Sequence, residues 1–228
     1  QKAVLKHKAD IGIALDGDAD RLIICDEKGT LVDGDQILAL IAKRWKDKKM
    51  LNGGVVATHM SNIGLENFFK KHHINFIRTK VGDKYVKEKM KSTGYNLGGE
   101  QSGHIILGDY NNTGDGLVAA LQIIACMKEQ NVPASFLGKK IKLLPQVIES
   151  ISYSILKIET LHEDRKIKEE IMKAEHKLGK SGRIFIRPSG TEKKIRIMAE
   201  CEKKDLLDQT IKNLKTKISA LIKKHEKN

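Results

Sequence analysis

Apolar and polar positions along this chain follow two periods, and the switches between them mark its elements. Ile11-Gly12-Ile13-Ala14-Leu15 and Leu22-Ile23-Ile24-Cys25 are apolar runs on either side of an acidic loop, so residues 10–33 read as strand, loop and a hairpin turned at Glu27-Lys28-Gly29. The pattern then predicts a helix over 35–48, a strand over 54–58, a helix over 62–73, a strand over 74–79 and a helix over 83–92. Two short strands flank a glycine-rich loop within 95–107, and a helix runs from Gly116 to about Gln130. Strands alternating with helices imply a parallel, doubly wound sheet. A boundary falls near Leu143-Leu144-Pro145. Beyond it the reading is an edge-like strand over 147–158, a helix over 161–178, strands over 183–187 and 194–201, and a helix over 205–225, an α+β pattern. The expected class is therefore α/β, with a smaller α+β domain at the C-terminal end.

At 228 residues and 40% apolar, the chain has enough material for one or two cores. Its longest strongly apolar stretch, Leu117 to Met127, is too short to cross a bilayer, and no signal-peptide pattern is present. The expectation is a soluble, cytoplasmic protein; the start at Gln1 reads as that of a fragment or trimmed chain. Cys25, Cys126 and Cys201 are odd in number, far apart and set in apolar surroundings, which suits reduced core residues better than a disulfide framework or zinc site. A formal charge of +13, from 42 Lys and Arg against 29 acids, raises nucleic-acid binding. The basic residues, however, fall on helical faces such as Lys212, Lys215, Lys217, Lys223 and Lys224, and aromatic residues make up only 4% with no stacking platform among them. Solvated helix faces account for the charge, and nucleic acid is not an expected partner.

Three loops carry chemistry. In Asp16-Gly17-Asp18-Ala19-Asp20-Arg21, carboxylates at i, i+2 and i+4 with small residues between them make an oxygen-donor cradle for a hard cation. Mg²⁺ suits it, because that ion takes one or two carboxylates plus phosphate oxygens, and an EF-hand does not, because Leu22-Ile23-Ile24 fill its ligand positions. Gly98-Gly99-Glu100-Gln101-Ser102-Gly103-His104 gathers a carboxylate, an amide, a hydroxyl and an imidazole, a donor–acceptor mixture matched to a polyhydroxyl ligand. Arg187-Pro188-Ser189-Gly190-Thr191-Glu192 follows a strand and offers a guanidinium fork, two hydroxyls and turn amides, which is anion chemistry. Taken one at a time, the bland alternatives stay open: an acidic hairpin turn, a glycine-rich turn and a Pro-Ser-Gly turn.

In this order the three loops resemble the metal-binding, sugar-binding and phosphate-binding loops of the α-D-phosphohexomutases, and Thr79-Lys80-Val81-Gly82-Asp83-Lys84-Tyr85-Val86 is similar to a fourth, specificity-related segment. Gln101 and Gly82-Asp83 favour the glucosamine-phosphate branch, the phosphoglucosamine mutases, over phosphomannomutases and phosphoglucomutases. The resemblance runs from about residue 10 to the end and corresponds to the second half of a family member. It implies the end of domain 2 over 1–33, domain 3 over 34–143 and domain 4 over 144–228. By that resemblance, the complete enzyme interconverts glucosamine 6-phosphate and glucosamine 1-phosphate through a phosphoserine and a bisphosphate intermediate, feeding UDP-N-acetylglucosamine and peptidoglycan synthesis.

The resemblance places Mg²⁺ on Asp16, Asp18 and Asp20, a phosphoryl-steadying role on Arg21, the sugar on Glu100, Ser102 and His104, and the non-reacting phosphate on Arg187, Ser189, Gly190 and Thr191, with Arg196 a weaker candidate. The phosphoserine would lie upstream; Thr58-His59-Met60-Ser61-Asn62 looks superficially like its context but stands after the metal loop, in the wrong order. Implied partners are the sugar phosphate and the missing N-terminal half, with homodimerisation left open. Lys193-Lys194, where a Pro-apolar pair is usual, and Lys84, where Arg is usual, depart from the family pattern. A non-catalytic sugar-phosphate-binding remnant and a basic polyanion binder are the readings from other functional classes.

Overall fold

A computed structural model describes residues 1–153, 164–179, 182–189 and 192–225, which form two compact units, Gln1–Leu143 and Leu144–Asn228. The first unit opens with a short helix, α1 (Lys2–His7), followed by an antiparallel meander of β1 (Ile11–Leu15), β2 (Leu22–Asp26) and β3 (Leu31–Val32) in that spatial order. The acidic loop joins β1 to β2, and Asp26 closes the turn into β3 by accepting from the N–H groups of Lys28 and Thr30. β1 is an edge strand, paired only with β2 among the described residues. Ile13, Ala14, Leu15, Ile23 and Leu31 of this meander are exposed.

The second sheet holds β4 (Gly54–Thr58), β5 (Asn75–Thr79), β6 (Leu97–Gly99) and β7 (Ile105–Leu107) in the order β5-β4-β6-β7. β5, β4 and β6 run parallel, as alternating strands and helices predict, but β7 is antiparallel to β6. The reason is the connection. Only residues 100–104 separate β6 from β7, whereas a parallel crossover needs a dozen residues or more.

β4 is buried along its whole length and divides its side chains by the period of two. Val55 and Ala57 enter the main core with Ile37, Leu38, Ile41 and Trp45 of α2 (Gly34–Asp47) and Ala119, Ala120 and Ile123 of α5 (Gly116–Gln130). Val56 points the other way, to Val86 and Met90 of α4 (Asp83–Thr93). Helices therefore cover both sheet faces, with α3 (Ile63–Lys71) linking β4 to β5. α2 starts on a reciprocal capping box, in which the Asp33 carboxylate accepts from Gln36 N–H and the Gln36 side chain accepts from Asp33 N–H, both at 3.1 Å. A five-residue helix, α6 (Ala134–Gly138), completes the unit. No helix among the described residues is long and apolar enough to cross a membrane.

The second unit is an antiparallel sheet of β8 (Gln146–Ser152), β9 (Gly182–Pro188) and β10 (Lys194–Cys201) in the order β8-β10-β9, with α7 (Arg165–Leu178) and α8 (Lys204–His225) packed against it. Glu200 is fully buried in central β10, where Arg183 donates to it at 2.9 Å and Gln146 at 2.7 Å. The end of the strand predicted over 147–158 and the start of the helix predicted over 161–178 fall outside the described residues. All three cysteines are buried and free, as their apolar contexts predict.

Candidate functional site

Elementary geometry makes the acidic loop a cradle. Ala19 adopts φ 59°, turning the chain back so that its N–H reaches Asp16 O at 3.2 Å and Arg21 N–H reaches Asp16 Oδ1 at 3.1 Å. One carboxylate oxygen each from Asp16, Asp18 and Asp20 then lies within 4.8 Å of the others. Three anionic oxygens so close together repel unless a cation neutralises them, and an oxygen-only set suits a hard divalent ion. Arg21 relieves part of that repulsion: its Nε stands 3.8 Å from Asp16 and 3.7 Å from Asp20, with the side chain more than half exposed.

The glycine-rich loop is fastened directly to this cradle. Arg21 and His104 form an antiparallel bridge, and Leu22 N–H donates to Gly103 O at 3.1 Å. Glu100 N–H donates to His104 O, and Gly103 N–H to Glu100 O, closing the tight turn. His104 is 3% exposed. Its Nε2 accepts from Gly114 N–H at 3.2 Å, which leaves the ring proton on Nδ1, 3.1 Å from Asp20 Oδ2. The imidazole thus braces a cradle carboxylate, and neither nitrogen is left for a sugar hydroxyl. Such a carboxylate–imidazole arrangement orients an oxygen ligand from behind. Gly114 permits it, because a Cβ there would lie 2.5 Å from the His104 ring and 2.7 Å from Asp20 O.

Glu100 and Ser102 are the polar groups of this loop that remain available. Ser102 is exposed and shares a cavity of about 280 Å³ with Asp16, Arg21, Ala14, Leu15 and Ile23. Glu100 is half-buried and its Oε1 accepts from Gly82 N–H at 3.0 Å, a contact with the 79–86 segment that sequence reasoning missed. Burial raises the pKa of Asp33, and the Gln101 side chain is among the groups that oppose the rise. Lys84 is exposed, 3.9 Å from Glu88.

The third loop belongs to the second unit. Arg187 lies directly across from Arg196 in the β9–β10 register. Like charges at facing positions destabilise a sheet, so the pair makes a positive spot that an anion would stabilise. Glu192 offsets it in part, 3.5 Å from Arg196 and 2.6 Å from Lys194. Ser189 is buried at the end of the strand, its N–H donating to Lys194 O at 2.8 Å. Gly190 and Thr191, the other two positions expected to hold phosphate, lie outside the described residues.

Known proteins resemble this chain over most of its length. The family model "Phosphoglucomutase/phosphomannomutase, alpha/beta/alpha domain III" matches residues 33–142, and the C-terminal domain model of the same family matches 155–216. Phosphoglucosamine mutases of Phenylobacterium zucineum and Pelagibacter ubique are 50% and 52% identical over 93% and 95% of this chain. These matches cover 47% and 48% of the two relatives, so the chain spans about half the length of the curated relatives it matches. Among solved structures, Aspergillus fumigatus N-acetylphosphoglucosamine mutase in complex with GlcNAc-6P and magnesium superposes with a TM-score of 0.77 at 20% identity, over 92% of this chain and 48% of that one. An N-acetylglucosamine-phosphate mutase solved in a product complex gives a TM-score of 0.71 at 22% identity over 93% and 48%. The fold and the two matched domain models establish that this chain belongs to the phosphoglucomutase/phosphomannomutase, or α-D-phosphohexomutase, family.

Proposed function

We propose that the chain is the C-terminal half of a phosphoglucosamine mutase, with residues 1–33 ending the second domain, 34–143 forming the third and 144–228 the fourth. The observation that carries the reading is the junction of cradle and sugar loop: Arg21 bridges to His104, whose imidazole bonds Asp20, so a cation and a polyhydroxyl ligand would meet at one place. Relatives of that name at about 50% identity support the hexosamine branch. The substrate pair would be glucosamine 6-phosphate and glucosamine 1-phosphate, with the phosphoserine supplied by the upstream half. The edge of β1 that is unpaired among the described residues, and the exposed apolar residues beside it, offer that half a surface to cover.

Phosphoryl transfer needs positioning and charge neutralisation more than covalent help from the protein. Asp16, Asp18 and Asp20 fit Mg²⁺, which would neutralise charge on the transferring phosphoryl group. Arg21 adds a guanidinium at the same edge, and His104 keeps Asp20 aimed. Glu100 and Ser102 hold sugar hydroxyls, while Arg187, Arg196, Ser189, Gly190 and Thr191 grip the phosphate that does not react. His104 is thus assigned to the carboxylate cradle instead of the sugar.

The test is complementation. Glucosamine 1-phosphate formation is measured for the pure chain, for the separately produced upstream half of the Phenylobacterium zucineum relative, and for the mixture. Activity is expected only in the mixture, and Asp18→Asn in the chain should abolish it. Turnover by the 228-residue chain alone would refute the assignment of the phosphoryl-carrying serine to the missing half.

A further inference from the structure

Glu100 stands where β6 ends, and its one side-chain hydrogen bond among the described residues comes from a backbone N–H of the segment after β5. That N–H belongs to Gly82, the residue that precedes α4 and caps it without a side chain. Gly82 adopts φ 128° and ψ 135°, a conformation close to glycine-only territory. Space is not what demands glycine here. A Cβ would meet nothing nearer than the Tyr85 ring, at 3.5 Å. What demands it is the direction in which the peptide points, since at this φ the N–H is aimed across the strand ends at Glu100 Oε1, 3.0 Å away. The N-terminal end of the eleven-residue α4 adds a favourable field for the carboxylate.

We propose that Gly82 is a positioning residue of the sugar site: it takes one oxygen of Glu100 and thereby fixes the rotamer that presents the other oxygen to a sugar hydroxyl. The proposal rests on the reading that Glu100 meets the sugar. It assigns the Gly82-Asp83 segment an indirect way of setting hexose preference. A residue with a Cβ at position 82 would turn the peptide, release Glu100 and change which hydroxyl pattern the loop accepts, without itself touching the ligand.

Two measurements on the 228-residue chain decide it. In ¹⁵N-labelled protein the amide proton of Gly82 should lie downfield in the parent and move upfield in Glu100→Gln; a Gly82 resonance that ignores the substitution overturns the contact and the proposal with it. In ligand-observed NMR with glucosamine 6-phosphate and, separately, inorganic phosphate as probes, Gly82→Ala should weaken the sugar phosphate about tenfold, the scale of one hydrogen bond to a charged group, and leave phosphate unchanged. Added to Glu100→Gln, Gly82→Ala should cause no further loss. Equal losses in both backgrounds, or none, would overturn the proposal. If Glu100→Gln alone leaves sugar-phosphate binding unchanged, the fault lies instead with the assignment of Glu100 to the sugar.

Discussion

Replacing Asp35 by Asn should stabilise the first unit at neutral and alkaline pH and change little in acid. Asp35 lies in the first turn of α2, completely buried, its Oδ2 accepting from Asn62 N–H at 2.7 Å. Burial raises its pKa from 3.8 to about 7, and the Asp33 carboxylate pushes the same way; the Asn62 N–H, the Ser61 side chain and the Arg78 guanidinium only partly oppose them. The sign follows from proton counting. Between these two values the folded chain keeps a proton that the unfolded chain has released, so stability falls as pH rises, by about 1.4 kcal/mol per pH unit. Below the lower value both states are protonated, above the upper both are ionised, and the loss accumulated between them is on the order of 4 kcal/mol. Asn has no proton to lose. Its carbonyl oxygen would take the Asn62 N–H and its amide would face the Ser61 hydroxyl. Urea unfolding followed by the fluorescence of Trp45, the one Trp of the chain and fully buried in this unit, isolates the relevant transition. Comparing Asp35→Asn with the parent cancels the titrating groups that do not interact with Asp35, which leaves Asp35 and its neighbour Asp33. The gap should open between pH 4.5 and 7 to a few kcal/mol and then stay constant. Parallel curves across that window would show that Asp35 is not held protonated and that the burial argument is wrong.

Other outcomes follow from the site. His104→Ala should weaken Mg²⁺ binding to the chain about 10- to 100-fold by freeing Asp20, the usual effect of removing a group that orients a ligand, as calorimetry would show; unchanged affinity would make His104 a packing residue only. Gly114→Ala, whose Cβ would press on the same ring at 2.5 Å, should lower stability by about 1–3 kcal/mol, read as a shift in the urea midpoint. In the complemented enzyme Arg187→Ala should raise KM far more than Ser189→Ala, with only partial recovery in Arg187→Lys, because an ammonium keeps the charge but loses the fork; an unchanged KM in Arg187→Ala would move the phosphate elsewhere.

Much of the fold was legible because its helices and strands obey their periods. The helix over 116–130 and the strand over 54–58 have the boundaries that the pattern predicts, and α2 is displaced by one residue. The antiparallel setting of β7 was missed because period two says nothing of direction; the five-residue connection after β6 did contain that information. α1 and α6 are six and five residues long, too short for a helical period to register. At the site, the residue types and spacing of the acidic loop predicted the clustering of Asp16, Asp18 and Asp20. What sequence could not supply was partnership across distance. His104 bonds Asp20 from 84 positions away, and Glu100 bonds the backbone of Gly82. Both pairs depend on how β2, β5 and β6 come together, and the first takes up an imidazole that looked equally suited to a sugar.

The most direct test of the central claim, that the acidic cradle and the Glu100 loop are one site, is a two-ligand NMR titration of the ¹⁵N-labelled chain. Mg²⁺ is added first and glucosamine 6-phosphate second. Mg²⁺ should shift the amides of 16–21 together with His104 and Gly114, which are tied to Asp20 through the imidazole. The sugar phosphate should then shift Glu100, Ser102 and Gly82. Mg²⁺ shifts confined to other carboxylates, or sugar-phosphate shifts that bypass residues 98–104, would contradict the account.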